Sequence, residues 1–268
     1  MESVTVFCAL SLLSFAASAI SATTGMGGVF LLAGMYALIK DIAIVLPIHA
    51  CVSMVSNITR IVTYIKFVNV AAYKFFMYGS IFGLAAGTVL LNFLLSRRDE
   101  LTPYMMVVIG LFIVWGTRKK SAPLTEDAPM SHFALLGLYA APISLLFGAN
   151  GVIIAPHLVR KDMSRQVVVA TSTACQLSIH VLKIVIFFTL WHVNSGTSTS
   201  ILFKSWYSFA LVLCMVFTAL LGTLFGRAFT DRISEKTFKT VFVYTIYIVA
   251  CKLVILDGLF PIVKRMAF

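Results

Sequence analysis

The chain has 268 residues, of which 60% are hydrophobic and only 12% are Asp, Glu, Lys or Arg. About a quarter of the residues in a soluble domain are charged, so the composition excludes a soluble fold. Apolar segments of about 20 residues, the length that a bilayer core requires, recur along the chain and predict an all-α integral membrane protein. The net charge of +11 is typical of loops that follow the positive-inside rule, and no basic run is long enough to bind nucleic acid.

The first apolar segment is predicted to form a helix over residues 3–22. It is not interpreted as a signal peptide, because Glu2 occupies the region where such peptides carry a basic residue. The stretch SATTGMGGVFLLAG follows, and each of its glycines costs about 1 kcal/mol relative to alanine inside a helix. We therefore expect a break at residues 25–28, after which the helix resumes and ends near residue 39.

The remaining segments divide the chain into two halves. Three more helices are predicted in the first half, at residues 42–66, 72–95 and 101–117. The stretch RKKSAPLTEDAPMS, residues 118–131, contains two prolines and mixed charge, which is typical of a linker. It separates a first transmembrane repeat, residues 1–117, from a second, residues 132–268. A break at residues 148–151 interrupts the second half, whose helices are predicted at residues 132–147, 152–160, 164–191, 203–229 and 237–260.

The two halves resemble each other at corresponding positions. An offset of 123 residues takes Gly25 to Gly148 and Arg60 to Lys183. This register indicates a tandem duplication into two homologous four-segment repeats with glycine-broken first helices. Unwound peptide groups cannot face lipid, and breaks at matching positions of two repeats are typical of secondary transporters. In such proteins the substrate site lies near the midplane, between the broken helices.

Four other glycines follow a second register. An offset of 139 residues takes Gly83 to Gly222 and Gly87 to Gly226. Within each repeat the two glycines are four residues apart, a spacing at which small residues let helices approach closely. We therefore expect these glycines to serve helix packing rather than substrate binding.

The orientation of the repeats depends on whether each glycine break forms a re-entrant hairpin. If it does, three crossings follow each break, the repeats are inverted, and the loops at 66–74, 118–132, 160–165 and 227–239 share one side. If every segment spans, the repeats are parallel. The positive-inside rule favours inverted repeats, because most of the loop Lys and Arg residues then lie on one side.

The ionisable residues within the apolar segments are basic. Arg60 and Lys183 are the leading candidates for a functional site, since an ionisable residue in a spanning segment is functional by default. All 10 acidic residues fall in loops or near predicted helix ends. A cavity lined by cations attracts anions, whose oxygens suit the planar fork of Arg and the compact charge of Lys. Lys252 is predicted to lie in the last helix without a carboxylate partner.

Polar residues near the breaks and the two cations complete the predicted site. The candidate substrate-binding residues are Thr23, Thr24, Gly27, Gly28, Asn57, Arg60, Asn150, Gly151, Thr171, Ser172, Gln176, His180 and Lys183. His49 and His157 are interpreted as structural, and the five cysteines as packing residues. No enzyme constellation stands out and no His or Cys spacing suits a metal, so we predict neither an enzyme nor a cofactor or metal site.

The motifs around both breaks resemble those of a known family. TGMGGVFLLAG, residues 24–34, is similar to the first glycine-rich motif of the TauE/SafE sulfite exporter family. FGANGVIIAPHLV, residues 147–159, together with VVVATSTACQ, residues 167–176, resembles the second motif. The resemblance implies a permease that exports small sulfur-containing or organic anions, such as sulfite or sulfoacetate, by alternating access. Its expected partners are a small anion and membrane lipid, its location the cell (inner) membrane, and its candidate assembly a homodimer.

Two other functions remain open from the sequence. One is a channel or carrier for another small solute. The other is a non-transporting membrane protein, an assembly factor or a receptor, in which Arg60 and Lys183 serve the structure. Neutralising these two cations would then impair folding rather than substrate binding.

Overall fold

A computed structural model describes residues 2–25, 27–39, 42–118, 131–148, 150–158, 164–195, 206–230 and 250–267, with isolated positions between 232 and 248. Every described secondary-structure element is helical, which confirms the predicted all-α class. The predicted linker at residues 118–131 lies outside the described residues except for its two ends. The boundaries of the two repeats therefore stay predictions.

The described part of the first half contains four α-helices and a short 3-10 turn. Their bounds are Glu2–Thr24 (α1), Gly27–Ile39 (α2), Ile42–Tyr64 (α3), the turn Ile65–Phe67, and Val70–Arg118 (α4). The predicted break at residues 25–28 is confirmed between α1 and α2. The predicted interruption between residues 95 and 101 is wrong, because α4 continues through it for 49 residues in all. Residues 96–100 include two Arg and one Glu, which are good helix formers, so polarity alone does not end the helix.

In the described part of the second half, five α-helices and one π-helix have continuous bounds. Their bounds are Ser131–Phe147 (α5), Asn150–Leu158 (α6), Arg165–Ser195 (α7), Trp206–Thr230 (α8), the π-helix Lys252–Leu259, and Phe260–Met266 (α9). The predicted break at residues 148–151 is confirmed between α5 and α6. The predicted last helix, residues 237–260, is helical at its described positions, and the change to π-helical geometry was not predicted.

Five of the described helices are long and apolar enough to cross a membrane. These candidate spans are Val4–Thr23, Ile44–Phe67, Val70–Leu91, Gln166–Phe187 and Trp206–Phe229. The segment Ser131–Leu146 is a shorter apolar helix. The chain is therefore an integral membrane protein, as its composition predicts.

Each break reverses the direction of the chain. A Cβ atom added at Gly34 of α2 would overlap with the side chain of Leu13 on α1, so α2 folds back along α1. In the second half, Nδ1 of His157 on α6 lies 3.2 Å from Nε2 of His132 near the start of α5. Both breaks are therefore the tips of helical hairpins rather than kinks in continuous helices.

The first helix of the chain packs against α8, which belongs to the other half. The contact is close because two glycines of α8 face the backbone of α1. A Cβ atom at Gly222 would overlap with the carbonyl oxygen of Phe15, and one at Gly226 with that of Ala19. These glycines serve helix packing, as their spacing predicts.

The equivalent contact joins α5 of the second half to α4 of the first. A Cβ atom at Gly83 would overlap with the carbonyl oxygen of Leu138, and one at Gly87 would lie 2.8 Å from Cα of Pro142. Leu138 and Pro142 are 123 residues after the two residues that Gly222 and Gly226 meet on α1. The first helix of each half therefore packs against the fourth helix of the other, α1 on α8 and α5 on α4, while α3 packs against α7 between them.

One intramembrane cation differs from the prediction. Lys252 was expected to have no carboxylate partner, but its Nζ forms an ion pair with Asp257. Both residues belong to the π-helix Lys252–Leu259. The sequence did not reveal the pair, because Asp257 was assigned to the end of the last helix.

We expect Gly222→Ala to lower the stability of the α1–α8 contact, since its methyl group has no space in front of the Phe15 carbonyl. Overpacking of this kind costs about 1–3 kcal/mol. The measurement is the thermal unfolding temperature of the purified protein in detergent, with Leu224→Ala on the exposed face of α8 as control. An unfolding temperature of Gly222→Ala equal to that of the wild type would contradict the close contact.

Candidate functional site

Both broken helices end in the same backbone motif. Gly25 after α1 has φ +75°, and Gly148 after α5 has φ +63°. The Gly25 N–H donates to the carbonyl oxygen of Ser21 at 2.7 Å, and the Gly148 N–H donates to that of Ser144 at 2.9 Å. A glycine with positive φ whose N–H bonds back over one turn is the usual way to end a helix, and other residues rarely adopt this conformation.

The two intramembrane cations complete these helix ends. Arg60 Nη1 donates to the Ser21 carbonyl oxygen at 2.6 Å, and Lys183 Nζ donates to the Ser144 carbonyl oxygen at 2.7 Å. The side chains are 3% and 0% exposed, respectively. A cation at the C-terminus of a helix offsets the partial negative charge of its last carbonyl groups. Ser144 lies 123 residues after Ser21. The register that relates Arg60 to Lys183 therefore also relates the two carbonyl oxygens that they contact.

The two cations have different surroundings on their other sides. Arg60 Nη2 also donates to Oδ1 of Asn57, and Arg60 Nε has no hydrogen-bond partner among the described residues although it is buried. Asn57 corresponds in the 123-residue register to His180, which does not carry such a carbonyl oxygen. The Arg60 guanidinium therefore lies beside the Asn57 amide, and the Lys183 ammonium acts on the His180 imidazole.

The N-termini of α2 and α6 lie where the two breaks contact each other, a place here called the crossing. A Cβ atom at Gly28 would lie 3.4 Å from the Gly148 carbonyl oxygen, and one at Gly151 would overlap with the Gly25 carbonyl oxygen. Each break thus packs against the other through corresponding glycines. The N-terminal end of a helix carries a partial positive charge and free N–H groups, so this crossing brings two such ends together.

A small polar cavity lies beside the crossing. Its lining comes from α1, α2, α3, α6 and α7 and consists of Ala17, Ser18, Ser21, Gly27, Gly28, Leu31, Ser53, Ser56, Asn57, Asn150, Gln176 and His180. Its volume is about 10 Å³, which is room for roughly one water molecule. A sulfite-sized anion does not fit into the cavity in this conformation, and the surrounding helices must separate to admit one.

Most of the predicted site residues come together here. Six of them line the cavity: Gly27, Gly28, Asn57, Asn150, Gln176 and His180. Arg60 contacts Asn57 from behind the lining, and Ser172 Oγ accepts a hydrogen bond from Gln176 Nε2 at 2.9 Å. The Gly151 N–H donates to Oδ1 of Asn150 at 2.9 Å, which fixes the orientation of that amide.

Thr23 and Thr171 do not line the cavity, and each bonds to a group outside its lining. Thr23 is part-exposed, and its hydroxyl donates to the Ile20 carbonyl oxygen of its own helix at 2.8 Å. The Thr171 hydroxyl is buried but accepts a hydrogen bond from the Asn69 N–H, at the start of α4, at 2.9 Å. The side chain of Thr24 lies outside the described residues.

Four serines that line the cavity are not among the predicted site residues. They are Ser18, Ser21, Ser53 and Ser56. On α3 the polar residues recur at positions 53, 56, 57 and 60, which places them on one helix face. This periodicity could have identified Ser53 and Ser56. His49, which was interpreted as structural, lies next to the cavity, with Nε2 2.9 Å from the Gly28 carbonyl oxygen.

Four side chains of the types Asp, Glu, His, Lys and Arg are buried in the described part of the chain, and all four are basic. They are His49, Arg60, His180 and Lys183. Within the same part, no three His, Cys, Asp or Glu side chains are grouped so that they could hold a metal ion. Two broken hairpins that meet at a polar cavity inside an apolar helical bundle are the architecture of a membrane transporter.

The chain belongs to the TauE/SafE sulfite exporter family, whose profile matches residues 10–253. This confirms the resemblance of the two glycine-rich motifs. No curated protein and no solved structure matches the chain. Membership implies a membrane transporter of sulfur-containing anions, and the family consists of transporters rather than enzymes. The expected homodimer stays a prediction.

We expect Gly25→Ala to destabilise the protein by about 1–2 kcal/mol, the cost of a non-glycine residue in the left-handed region. A Cβ atom there would make only ordinary contacts, the nearest at 3.6 Å. The loss of stability would therefore come from the backbone conformation and not from a steric clash. Gly25→Asn is the matched variant, because Asn tolerates this conformation better. The thermal unfolding temperature should fall more for Ala than for Asn, and equal values would contradict the assigned role.

Proposed function

We propose that the protein is a secondary transporter that exports small sulfur-containing or organic anions, such as sulfite or sulfoacetate, across the cell (inner) membrane by alternating access. The observation that carries this proposal is the burial of Arg60 and Lys183 at the two helix breaks. No Asp or Glu is buried among the described residues. Among the described residues, the two cations therefore bond to neutral acceptors, the carbonyl oxygens of Ser21 and Ser144 and Oδ1 of Asn57, rather than to a carboxylate.

The chemistry of the cavity favours an oxyanion as substrate. Removing an anion from water costs free energy, unless cations and hydrogen-bond donors of the protein replace the water molecules around it. Arg60 offers a planar fork for two oxygens, and its buried Nε has no partner among the described residues. Around the cavity, hydroxyl groups and the amides of Asn57 and Gln176 supply further polar atoms. Family membership supports sulfur-containing anions within this class.

The proposed transport mechanism uses two inverted repeats. The hairpin form of both breaks and the positive-inside rule favour inversion over parallel repeats. Inversion also requires the 49-residue helix α4 to cross the membrane twice, once on each side of its polar stretch at residues 96–100. Because α1 packs against α8 and α5 packs against α4, the rocking units each combine helices from both halves. Their relative rotation, with α3 and α7 between them, would open the cavity first to one side and then to the other.

The test is flux of radiolabelled sulfite and sulfoacetate in proteoliposomes that contain the purified protein. We expect saturable flux in the wild type and a loss of at least about tenfold in Arg60→Gln and in Lys183→Gln, because each removes a buried cation from the site. Arg60→Lys should retain part of the flux, since it keeps the charge but loses the fork. Lys66→Gln, at an exposed position outside the site, is the control.

The unfolding temperature of each variant separates binding from folding, since both cations also bond to helix ends. Variants that stay folded and lose flux support the anion site. Folded Arg60→Gln and Lys183→Gln proteins with wild-type flux would overturn the assignment of the site. A folded wild type that moves neither anion would overturn the substrate class.

A further inference from the structure

Two imidazole rings meet beside the crossing of the helix breaks. His49 on α3 and His180 on α7 are 0% and 1% exposed, and their ring centroids are 5.8 Å apart in an edge-to-face arrangement. Each ring contacts a different hairpin. His49 Nε2 lies 2.9 Å from the Gly28 carbonyl oxygen, and His180 Nε2 lies 3.1 Å from Nδ2 of Asn150.

These contacts determine which nitrogen of each neutral ring carries the proton. A carbonyl oxygen only accepts, so His49 Nε2 carries its proton and His49 Nδ1 presents a lone pair. The Gly151 N–H donates to Oδ1 of Asn150, so Nδ2 of that amide faces His180 and donates to it. His180 Nε2 is therefore the acceptor, and His180 Nδ1 carries the proton.

The other nitrogen of each ring is buried and has no partner. Nδ1 of His49 and Nδ1 of His180 both lack a hydrogen bond among the described residues, which carries a free-energy cost for a group removed from water. The two atoms need complementary partners. His49 Nδ1 is a base that can take a proton, whereas the N–H at His180 Nδ1 can donate to an anion. His180 also lines the cavity.

The charges around the pair link these two events. Lys183, on α7 with His180, acts electrostatically on both rings, and Arg60, on α3 with His49, acts on His180. The described parts of α1, α2, α5 and α6 contribute no buried charged side chain. Before an anion enters the cavity, the charges of Arg60 and Lys183 repel a third positive charge on either ring. The negative charge of an entering anion offsets this repulsion.

We infer that His49 is a proton-binding site coupled to the anion site. As the anion enters and accepts a hydrogen bond from His180 Nδ1, a proton from bulk water binds to Nδ1 of His49 and converts the imidazole to imidazolium. The proton then neutralises one charge of the anion within the loaded site. This inference rests on the proposed function, and it assigns to His49 a coupling role that the sequence analysis did not foresee.

Linkage makes the coupling measurable. If one proton is taken up with each anion, affinity for the anion rises as pH falls, by at most about tenfold per pH unit. The experiment is calorimetric titration of the purified full-length protein with sulfoacetate from pH 6 to 8, where both acidic groups of this probe stay ionised. Repeating it in buffers with different ionisation enthalpies counts the protons that are taken up.

The variants separate the proton site from the fold. His49→Gln keeps an N–H donor for the Gly28 carbonyl oxygen but has no nitrogen that titrates, so we expect sulfoacetate binding that no longer varies with pH. His157→Gln is the matched control, since His157 belongs to a separate cluster with His132 and Tyr139 and should keep the wild-type slope. His49→Asn replaces the Gln variant if that protein does not fold.

Each outcome addresses a different claim. A wild type that binds sulfoacetate with no proton uptake overturns the coupling and leaves the proposed function intact. Proton uptake that persists in both His49 variants moves the proton site elsewhere and overturns the assignment to His49. Failure of the wild type to bind either sulfoacetate or sulfite overturns the proposed function and the coupling with it.

Discussion

The structure depends on how the ends of two interrupted helices are satisfied inside an apolar bundle. A helix that stops in the membrane leaves carbonyl groups that neither water nor lipid can satisfy. Here a glycine in the left-handed conformation and a long basic side chain share one carbonyl oxygen at each end, that of Ser21 or Ser144. The breaks, the cations and the polar cavity are therefore consequences of one backbone constraint.

The contacts give the cations one role, at the helix ends, and the proposed function gives them a second, in anion binding. Arg60 and Lys183 complete helix ends, which explains why such residues can be buried in a chain with no buried carboxylate among its described residues. Arg60 also contacts Asn57, and Lys183 lies about one helical turn after His180 on α7; Asn57 and His180 both line the cavity near the N-termini of α2 and α6. The interpretation of these residues as structural and their interpretation as substrate-binding are thus compatible. Only a measurement that separates folding from flux distinguishes how much each role matters.

Reciprocal packing of the halves explains why both are needed for one site. The first helix of each half lies against the fourth helix of the other, through glycines that leave no room for a side chain. Neither half could bury these faces alone. The differences between the halves lie at the cavity instead, where Asn57 and Arg60 correspond to His180 and Lys183. Packing that repeats between the halves therefore surrounds a cavity whose two sides differ in chemistry.

The sequence by itself determined the helical membrane class, the two breaks, the registers of 123 and 139 residues, and the correspondence of Arg60 with Lys183. These follow from hydropathy, glycine content and spacing, which are properties of local segments. Local patterns could not reveal that α4 continues through its polar stretch, that Lys252 pairs with Asp257, or that His49 meets His180. Such contacts join residues through space, and only the tertiary structure decided them, because the hairpin reversals and the crossing of the breaks bring distant segments together.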